Sequence, residues 1–409
     1  MGARGRWAIA GNVAFMLCCC AALPPAVSGQ SLQGRFFTPK NTYLVGEPIF
    51  VTFEVVNNSQ RPLWFGSNFG KPCFDNENVV VDRATRARHG WKRALNCYGG
   101  WAGSCSEGST ELAPGQAHSE RILLNHYYEM GEPGLYKVSI ERKVRAYSED
   151  NFSTPIETMD SAAALDIQLV QGSKGELKAA FEPVLNDLKG SKGERRWQAV
   201  QAVTELAKPF LEQTVIDLSR NPEDVWAAVE GLYKLNTPQA RKRLAELAES
   251  AEGNSTHERA MQALAALGDK HYLPLFYRLG RTLKGSEQGV AIESAGLLGG
   301  TQAVPFLSSF LSSDEPPVRM AAIRALAGTA SRAALGPLIL EIRDPDPDVR
   351  QIVNAALAQL THLSASSNAL DFVPNPTATF ERWHAWQIEH GFRAPIYGPT
   401  DCAEPTPLN

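Results

Sequence analysis

The sequence predicts a multidomain β + α protein, in which an antiparallel β-sandwich is followed by a right-handed α-solenoid of helix pairs. Two observations predict this order. From residue 34 to residue 171, apolar residues recur with a period of two, which is typical of half-buried strands. After residue 172 the period becomes 3.6 and one helical segment recurs along the chain, which is typical of stacked helical repeats.

Length and composition are consistent with several globular domains. The chain has 409 residues, and one domain takes about 150 residues, so we expect two or three domains. Hydrophobic residues make up 44% and charged residues 21%, a balance that excludes disorder as the main state. The formal net charge is −4. An acidic chain argues against nucleic acid as a partner.

The first 29 residues are predicted to be a signal peptide. Arg4 and Arg6 precede an apolar run over residues 7–23, and small residues follow at 26–29. Basic start, apolar run and small-residue exit are the three parts of a secretory signal. Cleavage can follow Ser28 or Gly29. The sequence therefore predicts an exported protein, either periplasmic or secreted.

Two other interpretations of this segment fit less well. A membrane anchor needs about 20 apolar residues, whereas Asn12 interrupts the run and prolines at 24–25 end it. A lipoprotein signal needs a small residue before the lipidated cysteine, and Leu17 precedes Cys18. No later segment is apolar enough to span a bilayer, so we expect no membrane span after the signal is removed.

Cysteines beyond the signal are candidates for disulfides, because an even number in an exported chain favours bridges. They are Cys73, Cys97, Cys105 and Cys402. One pairing joins Cys97 to Cys105 across a glycine-rich loop and Cys73 to Cys402; a rival joins Cys73 to Cys97. A metal site is disfavoured because no CxxC motif or nearby histidine pair accompanies them.

Residues 30–171 are predicted to form the sandwich. Ile49, Val51, Phe53 and Val55 alternate with more polar residues, and a second alternating run covers 135–140 after a Glu-Pro-Gly turn. The set of Gly46, Glu47 and Pro48 followed by alternation, with Pro-Gly-Leu-Tyr later at 133–136, resembles bacterial immunoglobulin-like domains. That resemblance implies a β-sandwich that presents loops.

A long irregular stretch, residues 69–111, interrupts the predicted strands. Trp91, Tyr98 and Trp101 are interleaved there with several lysines and arginines. One interpretation is an exposed loop that binds an acidic partner or a glycan. The other is a solvated hairpin whose aromatic side chains pack on the sheet. Some bacterial immunoglobulin-like domains resemble proteinase inhibitors, so an inhibitor or carbohydrate-binding role for this loop is our alternative function.

Residues 172–194 are predicted to be a hinge, at Gly172–Gly175, and a leading helix. Beyond them six Ala/Leu-rich segments align at spacings of roughly 30 residues, within the range of helical repeats. They are WQAVQAVTEL from Trp197, VWAAVEGLYKL from Val225, ERAMQALAAL from Glu258, GVAIESAGLL from Gly289, VRMAAIRALA from Val318 and VRQIVNAALAQL from Val349. Most lead into a second apolar helix, and helix pairs of this kind bury their apolar faces by stacking.

The turns before these helices carry a specific motif. Residues 344–350 read DPDPDVR, with weaker copies at 314–319 and 221–225. A first-turn proline and acidic caps start a helix well, and we expect Arg319 and Arg350 to reach acids on a neighbouring repeat. The motif resembles short HEAT-like repeats of the phycobilisome-lyase type, over about half the chain. The resemblance implies an α-solenoid at 195–365; some members are chromophore lyases, but no lyase residue matches here.

The last segment, 366–409, is predicted to be a cap followed by a Pro-rich tail. Phe380, Trp383 and Trp386 lie on one short amphipathic helix, whose aromatic residues are expected to cover the last repeat.

Motifs for enzymatic chemistry are missing from the sequence. It contains no GxSxG, HExxH, Walker or dinucleotide motif. We interpret Asp344, Asp346 and Asp348 as helix caps rather than a calcium loop, because prolines separate them and no glycine and distal glutamate follow in register. Asn57, Asn151 and Asn254 begin glycosylation sequons, which we discount. We expect no enzymatic activity, no cofactor and no metal.

The function that the sequence favours is an exported, non-enzymatic scaffold that binds a protein partner through the repeat surface. The residues we expect to contact that partner lie on second helices and repeat turns: Arg241, Arg243, Tyr277, Arg278 and Glu341.

Overall fold

The computed structural model describes residues 31–66, 79–86, 109–149, 154–250, 255–364, 375–390, 393, 395–398 and 406–407. Strands dominate the N-terminal part and helices the C-terminal part, as the change of period predicts. We call residues 31–170 the sheet region and residues 174–390 the helical region. Several sequence predictions lie outside the described residues, namely those on residues 1–30, Cys73, Cys97, Cys105, Cys402, Trp91, Tyr98 and Trp101.

The strands of the sheet region are β1 (Leu32–Phe37), β2 (Thr42–Leu44), β3 (Phe50–Asn57), β4 (Leu63–Gly66), β5 (Val79–Val81), β6 (Thr85–Arg86), β7 (Ser109–Leu112), β8 (Ala117–Leu123), β9 (Tyr128–Glu129), β10 (Gly134–Tyr147) and β11 (Glu157–Val170). A short helix, α1 (Leu124–Tyr127), joins β8 to β9. One sheet has the order β1-β3-β8 and another the order β2-β11-β10-β4-β7, with β5 also paired to β10. β6 and β9 form a separate ribbon.

Among the described strands of the sheet region, the pairing is antiparallel except between β2 and β11 in the larger sheet. Residues Thr42–Leu44 of β2 run parallel to β11, with Tyr43 opposite Leu169. After β2 the chain turns through Gly46 and enters the other sheet as β3. Consecutive strands β2 and β3 therefore do not pair with each other. The sequence prediction of purely antiparallel pairing did not anticipate this crossover.

Side chains of both sheets share one core. Val51, Phe53 and Val55 are fully buried on β3, and Val138 and Ile140 face them from β10. The period-two alternation therefore identified the buried side chains of these strands. β11 spans Glu157–Val170, and its first half contains a run of small residues at 161–164 with weak strand propensity, which gives little signal in the sequence.

The helical region begins at residue 174. Ser173 caps α2: its hydroxyl accepts from the amide of Glu176 at 3.2 Å, while the Glu176 carboxylate accepts from the amide of Ser173 at 2.7 Å. This reciprocal capping box starts a helix where we predicted a hinge over Gly172–Gly175. The glycines at 172 and 175 favoured a hinge, although the Ser-x-x-Glu capping signature was present in the same segment of the sequence.

The helices are α2 (Lys174–Ala180), α3 (Glu182–Gly190), α4 (Gly193–Leu206), α5 (Glu212–Leu218), α6 (Val225–Leu235), α7 (Pro238–Glu249), α8 (Ser255–Ala266), α9 (Leu273–Thr282), α10 (Gly285–Gly299), α11 (Val304–Ser308), α12 (Pro316–Gly328), α13 (Leu335–Leu340), α14 (Pro347–Thr361) and α15 (Pro376–His390). Two short strands, β12 (Leu363–Ser364) and β13 (Thr406–Pro407), pair in parallel after α14. Among the described residues, no helix is both long enough and apolar enough to cross a membrane.

The six aligned segments fall in α4, α6, α8, α10, α12 and α14, which we call the first helices. Each contacts the next in chain order, and a continuous core runs from Phe181 to Trp383. Small residues permit close packing: a Cβ on Gly296 of α10 would lie 2.7 Å from the carbonyl oxygen of Ala325 in α12. The second helices α11 and α13 are short, and 3₁₀ turns adjoin them.

The turn at 344–350 starts α14 with an acidic cap as predicted, whereas the residues that precede α12 and α6, Glu315 and Asp224, make no side-chain cap hydrogen bond. Asp346 caps α14, since its carboxylate accepts from the amides of Asp348 at 2.8 Å and Val349 at 3.4 Å. Arg319 reaches forward to Asp344 of the next repeat, as expected. Arg350 donates to the carbonyl oxygens of Asp344 and Pro345 in its own turn, at 2.8 and 3.0 Å.

The helix α15 lies at the end of the row, against α13 and the following 3₁₀ turn. Trp383 is fully buried there, and the Arg343 guanidinium lies 3.5 Å from the centroid of the Phe380 ring. The aromatic residues of the predicted capping helix thus pack on the last helix pairs.

Candidate functional site

Four of the five predicted contact residues lie on two neighbouring helices. Arg241 and Arg243 are on α7, and Tyr277 and Arg278 are on α9. Ion pairs join the two helices: Arg278 pairs with Glu249 at the end of α7, and Arg241 Nε lies 3.7 Å from a carboxylate oxygen at position 269, before α9. Glu341 lies two helix pairs further on, in the 3₁₀ turn after α13.

The Arg243 side chain is fixed by hydrogen bonds and an ion pair within the protein. Its Nε donates to the Ser219 hydroxyl at 2.8 Å and its Nη2 to the Ser219 carbonyl at 3.0 Å, while Nη1 lies 3.1 Å from Glu246. Ser219 ends α5, where exposed carbonyls favour a cation. The guanidinium therefore joins α7 to α5.

Tyr277 belongs to an aromatic cluster between α9 and α11. Its ring lies 4.3 Å from Phe306, centroid to centroid, and Phe306 meets Phe310 edge-on at 5.0 Å. The Arg281 guanidinium lies 5.1 Å from the Phe306 ring centroid. Burial raises the pKa of the Tyr277 hydroxyl. The cluster therefore provides an apolar surface on α9 next to an exposed arginine.

Further exposed lysines and arginines lie on or next to α7 and α9, and sequence reasoning missed them. Lys242 on α7, Lys270 before α9, Arg281 near its end and Lys284 after it are all exposed. Together with Arg241 and Arg278 they form what we call the α7–α9 basic surface. The available signal was a local excess of basic residues in two consecutive repeats of an acidic chain.

A second polar cluster lies where the sheet region meets the helical region. His126 Nδ1 of α1 donates to the Glu205 carboxylate of α4 at 2.8 Å, and Lys234 of α6 also pairs with Glu205. Glu230 continues the row, 3.7 Å from Lys234 and 3.5 Å from Arg259 on α8. Burial alone would raise the pKa of Glu205, but the His126 hydrogen bond and the charge of Lys234 lower it to about 2.

Further contacts fix the same junction. Arg121 Nε of β8 donates to the Gln198 side-chain oxygen at 2.7 Å, and Gln198 Nε2 returns a bond to the Arg121 carbonyl at 3.1 Å. Gly46, with φ of +85°, leaves room for Lys208, whose Nζ would lie 2.6 Å from an added Cβ. The first-helix row therefore starts against the sheet region, and sequence reasoning identified none of these partners.

Trp226 is an exposed aromatic residue on the first helices. It is 49% exposed, and the Arg259 guanidinium lies 4.4 Å from its ring centroid. The cation–π contact is a reason for tryptophan at this repeat position, which carries Arg in the DPDPDVR motif.

One arrangement resembles a nucleophile, base and acid. His257 Nε2 lies 2.9 Å from the Ser250 hydroxyl, and His257 Nδ1 lies 3.8 Å from Glu287. However, Ser250 follows the last residue of α7, and its hydroxyl oxygen lies 3.1 Å from the Leu247 carbonyl oxygen. Carbonyl groups at a helix C-terminus disfavour developing negative charge, whereas acyl transfer needs N–H donors there. The carbonyl oxygen beside the Ser250 hydroxyl therefore does not favour a nucleophilic role for this serine.

Metal ligation finds no support in the described ranges, where no group of three or more His, Cys, Asp or Glu side chains is placed to hold an ion. Asp344, one of three acids considered for calcium, has its carboxylate occupied by Arg319.

Residues 274–358 match the family model for HEAT repeats. This segment runs from the start of α9 into α14, so it includes part of the α7–α9 basic surface and the Arg319–Asp344 pair. No curated protein matches the chain.

Three solved structures show weak similarity. An engineered protein is 18% identical over 43% of this chain and 94% of its own, with a TM-score of 0.30. Human deoxyhypusine hydroxylase is 20% identical over 44% of this chain and 73% of its own, with a TM-score of 0.26. The complex of CpcE and CpcF of phycocyanin lyase from Nostoc sp. PCC7120 is 17% identical over 52% of this chain and 91% of its own, with a TM-score of 0.28. Similarity at this level carries no conclusion about activity.

Proposed function

We propose that this chain is an exported, non-enzymatic protein–protein interaction scaffold that binds a protein partner through its helical region. The observation that supports this best is the unbroken contact of the first helices in chain order, from α4 to α14. Helix pairs stacked in this way offer an extended surface over one core, which is how repeat proteins bind partners. The HEAT-repeat match at 274–358 supports the same function.

We infer the finer architecture from the same contacts. The helical region is a right-handed α-solenoid over 195–365, closed by the capping segment 366–409, and residues 172–194 lead into it. Residues 30–171, which include the sheet region, form an immunoglobulin-like β-sandwich; the core that Phe53 and Ile140 share across the two sheets supports this assignment.

Export is part of the proposal and has its own test. Intact-mass measurement of the protein purified from its native host should give a chain that starts after Ser28 or Gly29. A mature chain that retains residues 1–29 would contradict export by this signal. Peptide mapping of the same sample without reduction should show bridges among Cys73, Cys97, Cys105 and Cys402.

The non-enzymatic character is tested at Ser250. A fluorophosphonate probe should leave the full-length protein unlabelled, because the hydroxyl lies at a helix C-terminus. Labelling that is present in the wild type and absent from Ser250→Ala would mean that the hydroxyl is a reactive nucleophile.

The scaffold function is tested by photocrosslinking in living cells. A photoreactive amino acid replaces exposed Gln239 on α7 or exposed His271 before α9, and Glu141 on β10 is the matched control position. We expect one discrete crosslinked protein from positions 239 and 271. Crosslinks from position 141 alone, or from none of these positions, would contradict binding through the helical region.

A further inference from the structure

We propose, on the basis of the scaffold function above, that the α7–α9 basic surface binds an acidic, extended segment of the partner protein. The inference starts from local charge. Residues 236–250 and 268–284 hold seven basic side chains and three acidic ones, whereas the whole chain carries −4. The basic residues are Arg241, Lys242, Arg243, Lys270, Arg278, Arg281 and Lys284, and the acids are Glu246, Glu249 and Asp269.

The three acids are already engaged by arginines. Arg241 lies 3.7 Å from Asp269, Arg243 lies 3.1 Å from Glu246, and Arg278 pairs with Glu249. The Arg241–Asp269 and Arg278–Glu249 pairs tie α7 to the turn before α9 and to α9 itself, whereas the Arg243–Glu246 pair lies within α7.

Four positive charges remain without an internal counter-charge. Across the described ranges, Lys242, Lys270, Arg281 and Lys284 have no carboxylate within ion-pair distance, and all four are exposed. Like charges gathered on one surface repel each other, and carboxylates from outside relieve that repulsion. The surface is therefore electrostatically complementary to an acidic ligand.

The shape of the surface favours a polypeptide. The four cations are spread over α7, the turn before α9, the C-terminal end of α9 and the residues just after it. An extended segment that crosses both helices can meet such a spread. Tyr277, whose ring packs against Phe306 at an angle of 31°, provides an apolar contact on α9. A nucleic acid would track a longer basic stripe, and the acidic charge of the whole chain opposes a long polyanion.

The test uses the full-length chain and a defined probe. Fluorescence anisotropy measures binding of a labelled peptide of six Glu-Ser repeats, alongside a Lys-Ser peptide of equal length and a single-stranded oligonucleotide. The variant is Lys242→Glu/Arg281→Glu/Lys284→Glu. The control is Lys137→Glu/Lys143→Glu/Arg145→Glu, which makes the same change in net charge at exposed positions of β10.

We expect the Glu-Ser peptide to bind the wild type and the β10 control alike, and to bind the α7–α9 variant roughly tenfold more weakly. Added salt should weaken wild-type binding, since the contacts are exposed ion pairs. Equal binding of the Glu-Ser peptide by the variant and the control, or no binding by the wild type, would overturn the inference. Tighter binding of the oligonucleotide would overturn it in favour of a nucleic acid.

Photocrosslinking from Gln239 separates this inference from the scaffold function. Loss of the crosslinked partner in the α7–α9 variant, with retention in the β10 control, supports acidic-segment binding. Retention of the partner in both overturns the acidic-segment inference and leaves the scaffold standing. A wild type that crosslinks to no protein overturns the scaffold itself.

Discussion

Arg319 and Asp344 form a two-point ion pair between consecutive repeats: Nε and Nη2 of the guanidinium donate to the two carboxylate oxygens at 2.7 and 2.9 Å. The carboxylate of Asp344 is almost completely buried, and the Arg319 side chain is only 10% exposed. The pair joins α12 to the turn that starts α14. Arg196 on α4 and Asp224 before α6 form the same kind of pair at the other end of the helix row.

Removing one partner of the Arg319–Asp344 pair should be costly. Asp344→Ala leaves a buried guanidinium without its counter-charge, and we expect a loss of about 3 to 5 kcal/mol in the free energy of unfolding by urea. Arg319→Lys should recover little of an Arg319→Ala loss, because an ammonium cannot make both bonds at once. Stabilities within 1 kcal/mol of the wild type would show that the pair contributes no net stability.

Close packing of α10 on α12 predicts opposite effects for two glycines of one helix. Gly296→Ala should lower stability by about 1 to 3 kcal/mol, because the new Cβ would meet the Ala325 carbonyl oxygen at 2.7 Å. Gly289→Ala places its Cβ at an ordinary 3.4 Å from Ala321, so improved helix propensity should leave it neutral or up to about 1 kcal/mol more stable. Thermal unfolding of both variants checks this, and equal shifts would contradict the packing argument.

The stability of the junction between the sheet and helical regions should depend on pH. Glu205 has a pKa of about 2 in the folded chain against an ordinary value of 4.5, so its ionised form contributes stability above pH 4.5. That stability is lost as the pH falls from 4.5 towards 2. Glu205→Gln should therefore cost about 3 kcal/mol at pH 7.

The difference between wild type and Glu205→Gln should shrink steadily below pH 4.5. Urea midpoints measured from pH 7 to pH 3 test it. Exposed Glu223 gives the matched control, and Glu223→Gln should show no such pH dependence. A constant difference between Glu205→Gln and the wild type would mean that the His126–Glu205–Lys234 cluster does not hold the junction.

The pH dependence of the stability contributed by Glu341 should have the opposite sign. Burial first, and then the negative charge of Asp344, raises the pKa of Glu341 to about 7, and its protonated form donates a hydrogen bond to Asp344. A raised pKa stabilises the fold below the ordinary value of 4.5, and the stability is lost as the pH rises through 7. The contribution of Glu341 to the stability of the wild type should therefore decline as the pH rises from 4.5 to 7.

Glu341→Gln, which keeps a hydrogen-bond donor and removes the charge, should flatten that decline and raise the melting temperature at pH 8 relative to the wild type. Exposed Glu381→Gln on α15 is the control and should change neither. Parallel pH profiles for Glu341→Gln and the wild type would show that the carboxyl group is ionised throughout.

Much of the architecture followed from the sequence because it depends on local patterns. The period of two identified the buried face of β3, and the recurring Ala/Leu segments identified the first helices, including α6 with its bounds at Val225 and Leu235. The Asp-Pro turn located the start of α14, since a proline and a capping carboxylate act within one turn. Arg241, Tyr277 and Arg278 lie on α7 and α9, and their contact with a partner stays a prediction.

Partners distant in sequence could not be found in this way. His126 and Glu205 are 79 residues apart, and nothing local to either indicates the other. The four uncompensated cations of the α7–α9 basic surface stand out only once Arg241, Arg243 and Arg278 are seen to occupy the nearby acids. Periodicity and caps are local properties that the sequence determines by itself, whereas counter-charge and burial are decided by which helices meet, and tertiary packing alone sets those neighbours.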